Sequence, residues 1–231
     1  VSVAGRLVVI AGATSASGLA AARELTDKGA RVVAVGRDGH RLRALVEAVP
    51  GLRTAVCDLT DETAVAGLAR KVHDAEGAVD GVLHLVGGWR GGGGLAGQSD
   101  EDFRFLEQSF TALRHLSRAF DADLTRSDAG RLAVVSSTAV ARPVAGGANY
   151  AAVKAATEAW VRAVAQGFAK DARDAERSLT AAAVVFRVQS LAGLEHTLAR
   201  SFTDLWAVPA ADVNDTIMEL SDPLTPQIGQ L

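Results

Sequence analysis

Apolar residues along the chain come in short aliphatic runs, and between the runs they recur every three or four positions. Residues 6–11 (RLVVIA), 31–38 (RVVAVGRD), 53–57, 80–86, 132–136 (LAVVS) and 179–186 (LTAAAVVF) have the near-continuous apolar character of strands covered on both faces. Between them the period becomes helical. Leu19, Ala22 and Leu25 share a face. Residues 38–49 form a helical stretch ended by Pro50-Gly51, and 62–76 another. Ser99, followed by Asp100, Glu101 and Asp102, has the form of an N-cap with an acidic first turn. The helix it starts runs to about 124, with Phe103, Leu106, Phe110, Leu113 and Leu116 on one stripe. An alanine-rich helix follows Gly147. Near the C-terminal end the pattern predicts a short helical or irregular segment over 194–206, a helix over 210–220 started near Pro209, and a last strand begun in QIGQL (227–231). Alternating strands and helices predict an α/β fold, a doubly wound parallel sheet of about seven strands with helices on both faces. A single domain over residues 1–231 is expected.

Composition narrows the possibilities. Hydrophobic residues make up 48% of the chain, too many for a disordered protein. The net charge of −3, without blocks of like charge, gives no footprint for nucleic acid. Cys57 is the one cysteine, so no intrachain disulfide forms, and a packed thiol is the expected reading. No apolar run reaches 18 residues and no signal-like leader is visible, so a soluble, cytoplasmic protein without a membrane role is expected. His40, His73, His84, His115 and His196 show no ligand spacing, and no metal site is expected. His84 falls in a strand and reads as a packed core residue; His115, in mid-helix, reads as solvated or at a subunit interface.

The candidate chemistry lies at strand ends. The first strand runs into GATSASGLAAARELTDKGA, a glycine-bracketed turn opening a helix. Backbone N–H groups and the helix dipole there suit a pyrophosphate. At the end of the second strand, where a dinucleotide's ribose would lie, stand Gly36 and Arg37 rather than an acidic residue. Arg37 either accepts a 2′-phosphate or simply ends a strand; the phosphate reading is preferred. Asp58, after the third strand, either holds an adenine or starts a turn. After the fourth strand, residues 87–97 (GGWRGGGGLAG) predict a flexible loop in which Gly87 and Gly88 let the backbone approach a ligand closely. Trp89 and Arg90 could shape a substrate pocket or lie on the surface. The fifth strand ends in Ser136-Ser137, and thirteen residues later Tyr150 and Lys154 stand one helical turn apart on one face. A phenol beside an ammonium and a hydroxyl can move a proton, the ammonium lowering the phenol's pKa.

With Gly12, Gly18, Ser137, Tyr150 and Lys154 at these spacings, the chain resembles a short-chain dehydrogenase/reductase of the single-domain type over essentially its full length. The resemblance implies a Rossmann-like fold, binding of NAD or NADP, and a catalytic set of Ser137, Tyr150 and Lys154, with an assisting position at Ser109. It implies that Tyr150 is the general acid in carbonyl reduction, that Ser137 orients the carbonyl, and that Lys154 lowers the tyrosine pKa and holds the nicotinamide ribose. Cofactor contacts are implied at Gly12, Thr14, Ser15, Ser17, Gly18 and Leu19 in the first turn. Others are implied at Arg37, Asp58, Leu59, Gly87 and Gly88, at Tyr150 and Lys154, and at Phe186 and Val188 near the sixth strand. Several family features differ. Ala16 replaces the middle glycine and Ala11 the opening threonine. LVGG (85–88) replaces NNAG, Ser109 the assisting asparagine, and Phe186-Arg187 the Pro-Gly after the sixth strand.

The expected function is therefore that of an enzyme, an NADP(H)-dependent oxidoreductase, NADP(H) favoured over NAD(H), interconverting a small alcohol and a carbonyl. The competing reading is a family member without turnover that binds a dinucleotide or a partner. A homodimer or homotetramer formed through the helices near 100–124 and 147–170 is implied by the resemblance alone.

Overall fold

The computed structural model describes residues 2–221. It contains a seven-stranded parallel sheet in the order β3-β2-β1-β4-β5-β6-β7. The strands are β1 (Leu7–Ala11), β2 (Arg31–Gly36), β3 (Arg53–Val56), β4 (Gly81–His84), β5 (Arg131–Ser137), β6 (Ala182–Val188) and β7 (Thr216–Glu219). The helices are α1 (Ala16–Asp27), α2 (Gly39–Ala48), α3 (Glu62–Glu76), α4 (Asp100–Ala119), α5 (Asp121–Arg126), α6 (Ala148–Asp174), α7 (Glu195–Asp204) and α8 (Ala210–Val213).

Both faces of the sheet are buried, which is why its strands read as apolar runs rather than alternating ones. Successive side chains still point to opposite sides. Val8, Ile10, Ala34, Leu83, Ala133, Val184 and Phe186 pack under Leu25 of α1, Leu42 of α2 and Phe202 of α7. Val9, Ala11, Val33, Val82, Val134 and Val185 pack under Val65 of α3, Leu113 of α4 and Phe168 of α6. Arg131 is buried at the start of β5, where its guanidinium donates to the carbonyls of Gly130, Thr180, Leu205 and Val208 and so ties the sheet to the segment around α7 and α8. Burial lowers its pKa to about 10.

The C-terminal part departs from the expectation. The helix expected over 210–220 is only the four residues of α8, and the seventh strand lies at 216–219. Asn214 and Asp215 cause the break. The Asn214 side chain accepts from Ala183 N and donates to Ala165 O, and Asp215 takes a left-handed φ of 62°. Thr216 then pairs with Val184 at the edge of the sheet. The strand expected at 227–231 lies outside the described residues. Helix α6 instead runs to Asp174, and β6 extends two residues past its expected end at 186.

Chain order places β1 beside both β2 and β4. The connections after β1 and β4 leave in opposite directions, which opens a crevice at the carboxyl ends of these strands, where ligands bind in sheets of this type.

Candidate active site

Two contiguous hollows fill the crevice, sharing Ser15, Leu85, Val86 and Gly87. The larger, about 1440 Å³, is lined by Ser137, Tyr150 and Lys154 together with Ser15, Ser17, Gly87, Gly88, Trp89 and Val188. The smaller, about 330 Å³, is lined by Gly12, Thr14, Arg37, Asp58 and Leu59.

The turn between β1 and α1 explains its own glycines. Gly12 has φ +77°, and a Cβ on it would stand 2.9 Å from the backbone of Leu85 and Val86, so a side chain would part the ends of β1 and β4. A Cβ on Gly18 would fall 2.2 Å from Ala13 O, so Gly18 lets α1 close onto the strand end. Ser15 is the N-cap: its Oγ accepts from Gly18 N and donates to Gly12 O. Ala16, the position of the family's middle glycine, is exposed and opens α1 on the wall of the large hollow.

In the smaller hollow Arg37 is exposed just past β2, and Asp38 caps α2. Arg41, one turn into that helix, lines the same hollow and donates to Thr14 O at 2.7 Å. Two guanidiniums therefore flank this end. Asp58 accepts from Thr60 N and Oγ1, which holds its carboxyl below the usual range. His115 of α4 is half-buried and lies with Nδ1 3.1 Å from Leu59 O, so it braces this wall from mid-helix. Cys57 is buried, which raises its thiol pKa and agrees with a packed thiol.

In the larger hollow, Ser137 ends β5 and Tyr150 stands in the first turn of α6. Burial raises the phenol's pKa, and hydrogen bonding with Ser137 works against that rise. Lys154 is buried and donates to Val135 O at 2.8 Å; its Nζ is 5.8 Å from the centre of the Tyr150 ring. Burial lowers its pKa to about 8, with Glu158 opposing the shift. Burial is the largest influence on the phenol in this arrangement, so its pKa shifts up rather than down. Beneath Lys154 lies a buried network. Ser136 Oγ donates to Glu158 at 2.6 Å, and Arg187 grips the same carboxylate with two hydrogen bonds of 3.1 and 2.7 Å.

Four expected site residues do not reach the hollows. Ser109 turns its hydroxyl back to Leu106 O within α4. Gly18 serves packing, and Leu19 lies against the core. Phe186 is fully buried under the α1–α2–α7 layer, because β6 runs on to Val188 and leaves Phe186 two residues short of the strand end, beneath the helices rather than at the cleft. Gln189 and Ser190, just past the true strand end, line the hollow instead.

The glycine-rich segment is also more ordered than its composition suggests. Gln98 Nε2 donates to the carbonyls of Gly92, Gly94 and Gly146, and its Oε1 accepts from Asn149 N. One side chain clamps the loop to the start of α6. Sequence reading missed Gln98, Arg41, His84 and Glu158. Only Arg41, one helical turn beyond Arg37, carried a readable signal.

The arrangement suits a dinucleotide. A helix N-terminus opens on the crevice, two guanidiniums and a carboxylate stand at one end, and glycines line the floor. Among the described residues no cluster of three or more metal-ligating side chains exists, and no helix is long and apolar enough to cross a membrane.

A model of the short chain dehydrogenase family matches residues 6–172. The bovine protein named dehydrogenase/reductase SDR family member 7B is 30% identical over 164 residues, covering 67% of this chain and 50% of that protein. The NADP-dependent 3-hydroxy acid dehydrogenase of Salmonella typhi is 27% identical over 151 residues, 64% of this chain and 61% of that one. Among solved structures, a short-chain type dehydrogenase/reductase from Mycobacterium ulcerans superposes with a TM-score of 0.82 at 18% identity, over 95% of this chain and 90% of that chain. The matched region thus spans between half and two thirds of these two sequence relatives.

Proposed function

Because the chain belongs to the short-chain dehydrogenase/reductase family, we propose that it is an NADP(H)-dependent oxidoreductase interconverting an alcohol and a carbonyl. The observation that carries this reading is one cleft with a serine, a tyrosine and a lysine at one end and a pair of arginines at the other. Arg37 and Arg41 supply the charge-assisted, fork-shaped donors that a 2′-phosphate accepts. The Salmonella relative, named as NADP-dependent, supports the same preference. The first turn of α1 would receive the pyrophosphate, Asp58 and Leu59 the adenine, and Gly87, Gly88 and Val188 the nicotinamide end.

When bound, the nicotinamide supplies or takes up the hydride. The chain's own groups manage the proton. Ser137 Oγ holds the substrate oxygen beside the phenol. Tyr150, a phenol and so protonated at neutral pH, donates its proton to that oxygen during reduction. Lys154, largely an ammonium below pH about 8, sits one turn along α6 to restore it. In the oxidising direction the same groups run in reverse. The exposed faces of α4 and α6 are the surfaces through which a homodimer or homotetramer would form, checked by light scattering.

Trp89 lines the cleft, so its fluorescence reports binding. NADPH should quench it at concentrations at least tenfold below NADH; the opposite order would overturn the NADP assignment. Tyr150→Phe should lose carbonyl reduction by ~100-fold or more while binding NADPH as wild type does. The turned-away Ser109 hydroxyl favours a second reading, a binding protein without turnover. Wild-type protein that binds NADPH but reduces no member of a broad aldehyde and ketone set would establish that reading.

A further inference from the structure

His84 ends β4 on the same side of the sheet as Val82, facing the layer that contains α4 and α6. Its residue exposure is 4%, yet it lines the larger hollow. Nε2 lies 3.0 Å from Ser109 O. A carbonyl only accepts, so Nε2 carries the ring proton and Nδ1 presents a bare lone pair. Nδ1 is buried and has no hydrogen-bond partner among the described residues. A buried acceptor left without a donor is costly, on the order of 1–3 kcal/mol, so its retention beside a reaction cleft points to a donor.

One donor is at hand. Lys154 Nζ spends one N–H on Val135 O, and an ammonium has others to give. Val135 follows Val134, the residue paired with His84 across β4 and β5. From the other side, a Cβ on Gly87 would lie 3.8 Å from the same Nζ. The ammonium therefore sits by the ends of β4 and β5, near enough for its charge to act on the imidazole. Tyr150 and Glu158 face it from its own helix. Arg187 from β6 holds Glu158, and Glu195, Glu219 and Arg142 line the outer cleft.

We propose that His84 is the positioning residue for Lys154: its Nδ1 accepts, through one bridging water, an N–H of the ammonium, and its Nε2–H anchors the pair to the Ser109 carbonyl of α4. The proposal rests on reading Lys154 as part of the proton path. It gives that path an inner end built from an imidazole and a backbone carbonyl, where the Ser109 side chain is turned away. The imidazole remains an acceptor across the working range, since burial and the Lys154 charge hold its pKa down to about 3. No proton is transferred to it; it keeps the ammonium charged and aimed.

The test is the titration of Lys154 in the full chain, followed by NMR on protein labelled with 15N-lysine from pH ~7 to ~10. His84→Phe removes the acceptor and should lower the Lys154 midpoint by about one pH unit, tenfold in acidity. His84→Gln keeps a donor and an acceptor and should leave the midpoint near that of wild type. An unchanged midpoint in a folded His84→Phe protein would overturn the proposal, as would an equal shift in both variants. Should His84→Phe fail to fold, wild type labelled with 15N-histidine decides: the Nδ1 resonance of His84 should move as Lys154 titrates, and a static resonance would overturn the idea. None of these readouts needs turnover, so loss of the oxidoreductase reading would leave them standing. Turnover with an alkaline limb indifferent to His84→Phe would sink this proposal alone.

Discussion

At the scale of single residues, charge in the crevice is arranged by burial more than by pairing. Lys154 shows the sign of the effect. Its folded pKa of about 8 lies below the ordinary 10.5, so below pH about 8 the folded chain holds a buried ammonium at a cost to stability. Between about 8 and 10.5 the folded protein sheds this proton before the unfolded chain does, and stability rises with pH. Urea unfolding of wild type against Lys154→Met should therefore show the difference moving in favour of wild type across that window; a flat difference would mean that Lys154 is solvated. The arginines act at the other end. Arg37→Ala and Arg41→Ala should each weaken NADPH binding roughly ten- to a hundredfold and leave NADH nearly unchanged, since each removes a phosphate-directed, charge-assisted contact of about 1.5–3 kcal/mol. Equal losses for both cofactors in Arg41→Ala would reassign that side chain to holding the Thr14 turn.

At the scale of elements, the β1–α1 turn is the tightest junction around the crevice. Gly18→Ala would force a methyl to 2.2 Å from Ala13 O, and α1 would have to back away from the strand end. The expected cost is roughly 2 kcal/mol or more, seen as a lower melting temperature together with weaker dinucleotide binding. Much of this element-level picture was legible beforehand. The order of strands and helices, the Ser15–Gly18 turn and the Ser137, Tyr150, Lys154 spacing all follow from local pattern, and the sheet realises that pattern. What escaped depends on register and on distant partners. Whether Phe186 lies at the cleft or deeper in the core turns on two residues of strand length. The break at Asn214 and Asp215 depends on Ala183 and Ala165, some thirty and fifty positions away. A helix pattern over 210–220 has no means of showing either.

At the scale of the whole molecule, the crevice depends on both layers. The β1–α1 turn packs with the α1–α2–α7 side, whereas Tyr150, Lys154, His84 and Glu158 come from the side of α4 and α6. The sheet keeps them in register, so the site exists only when both layers are in place. His84 illustrates why sequence reading undervalues such residues. A histidine in an apolar run reads as a packed side chain, which it is, and its free nitrogen is visible only once α4 and α6 are folded over it.

The Gln98 clamp has a consequence for how fast and how selectively the mouth of the crevice is entered. A segment so rich in glycine would ordinarily wander through many shapes, only a fraction of them open to a visitor. Four contacts from one amide hold it in one shape before anything arrives, so arrival need not select a rare conformer. Freed by Gln98→Ala, residues 90–98 should exchange their amide hydrogens faster, and KM should rise several-fold at nearly constant kcat. The same variant should tolerate bulkier carbonyl compounds, because an aperture that no longer has a set outline no longer rejects by shape.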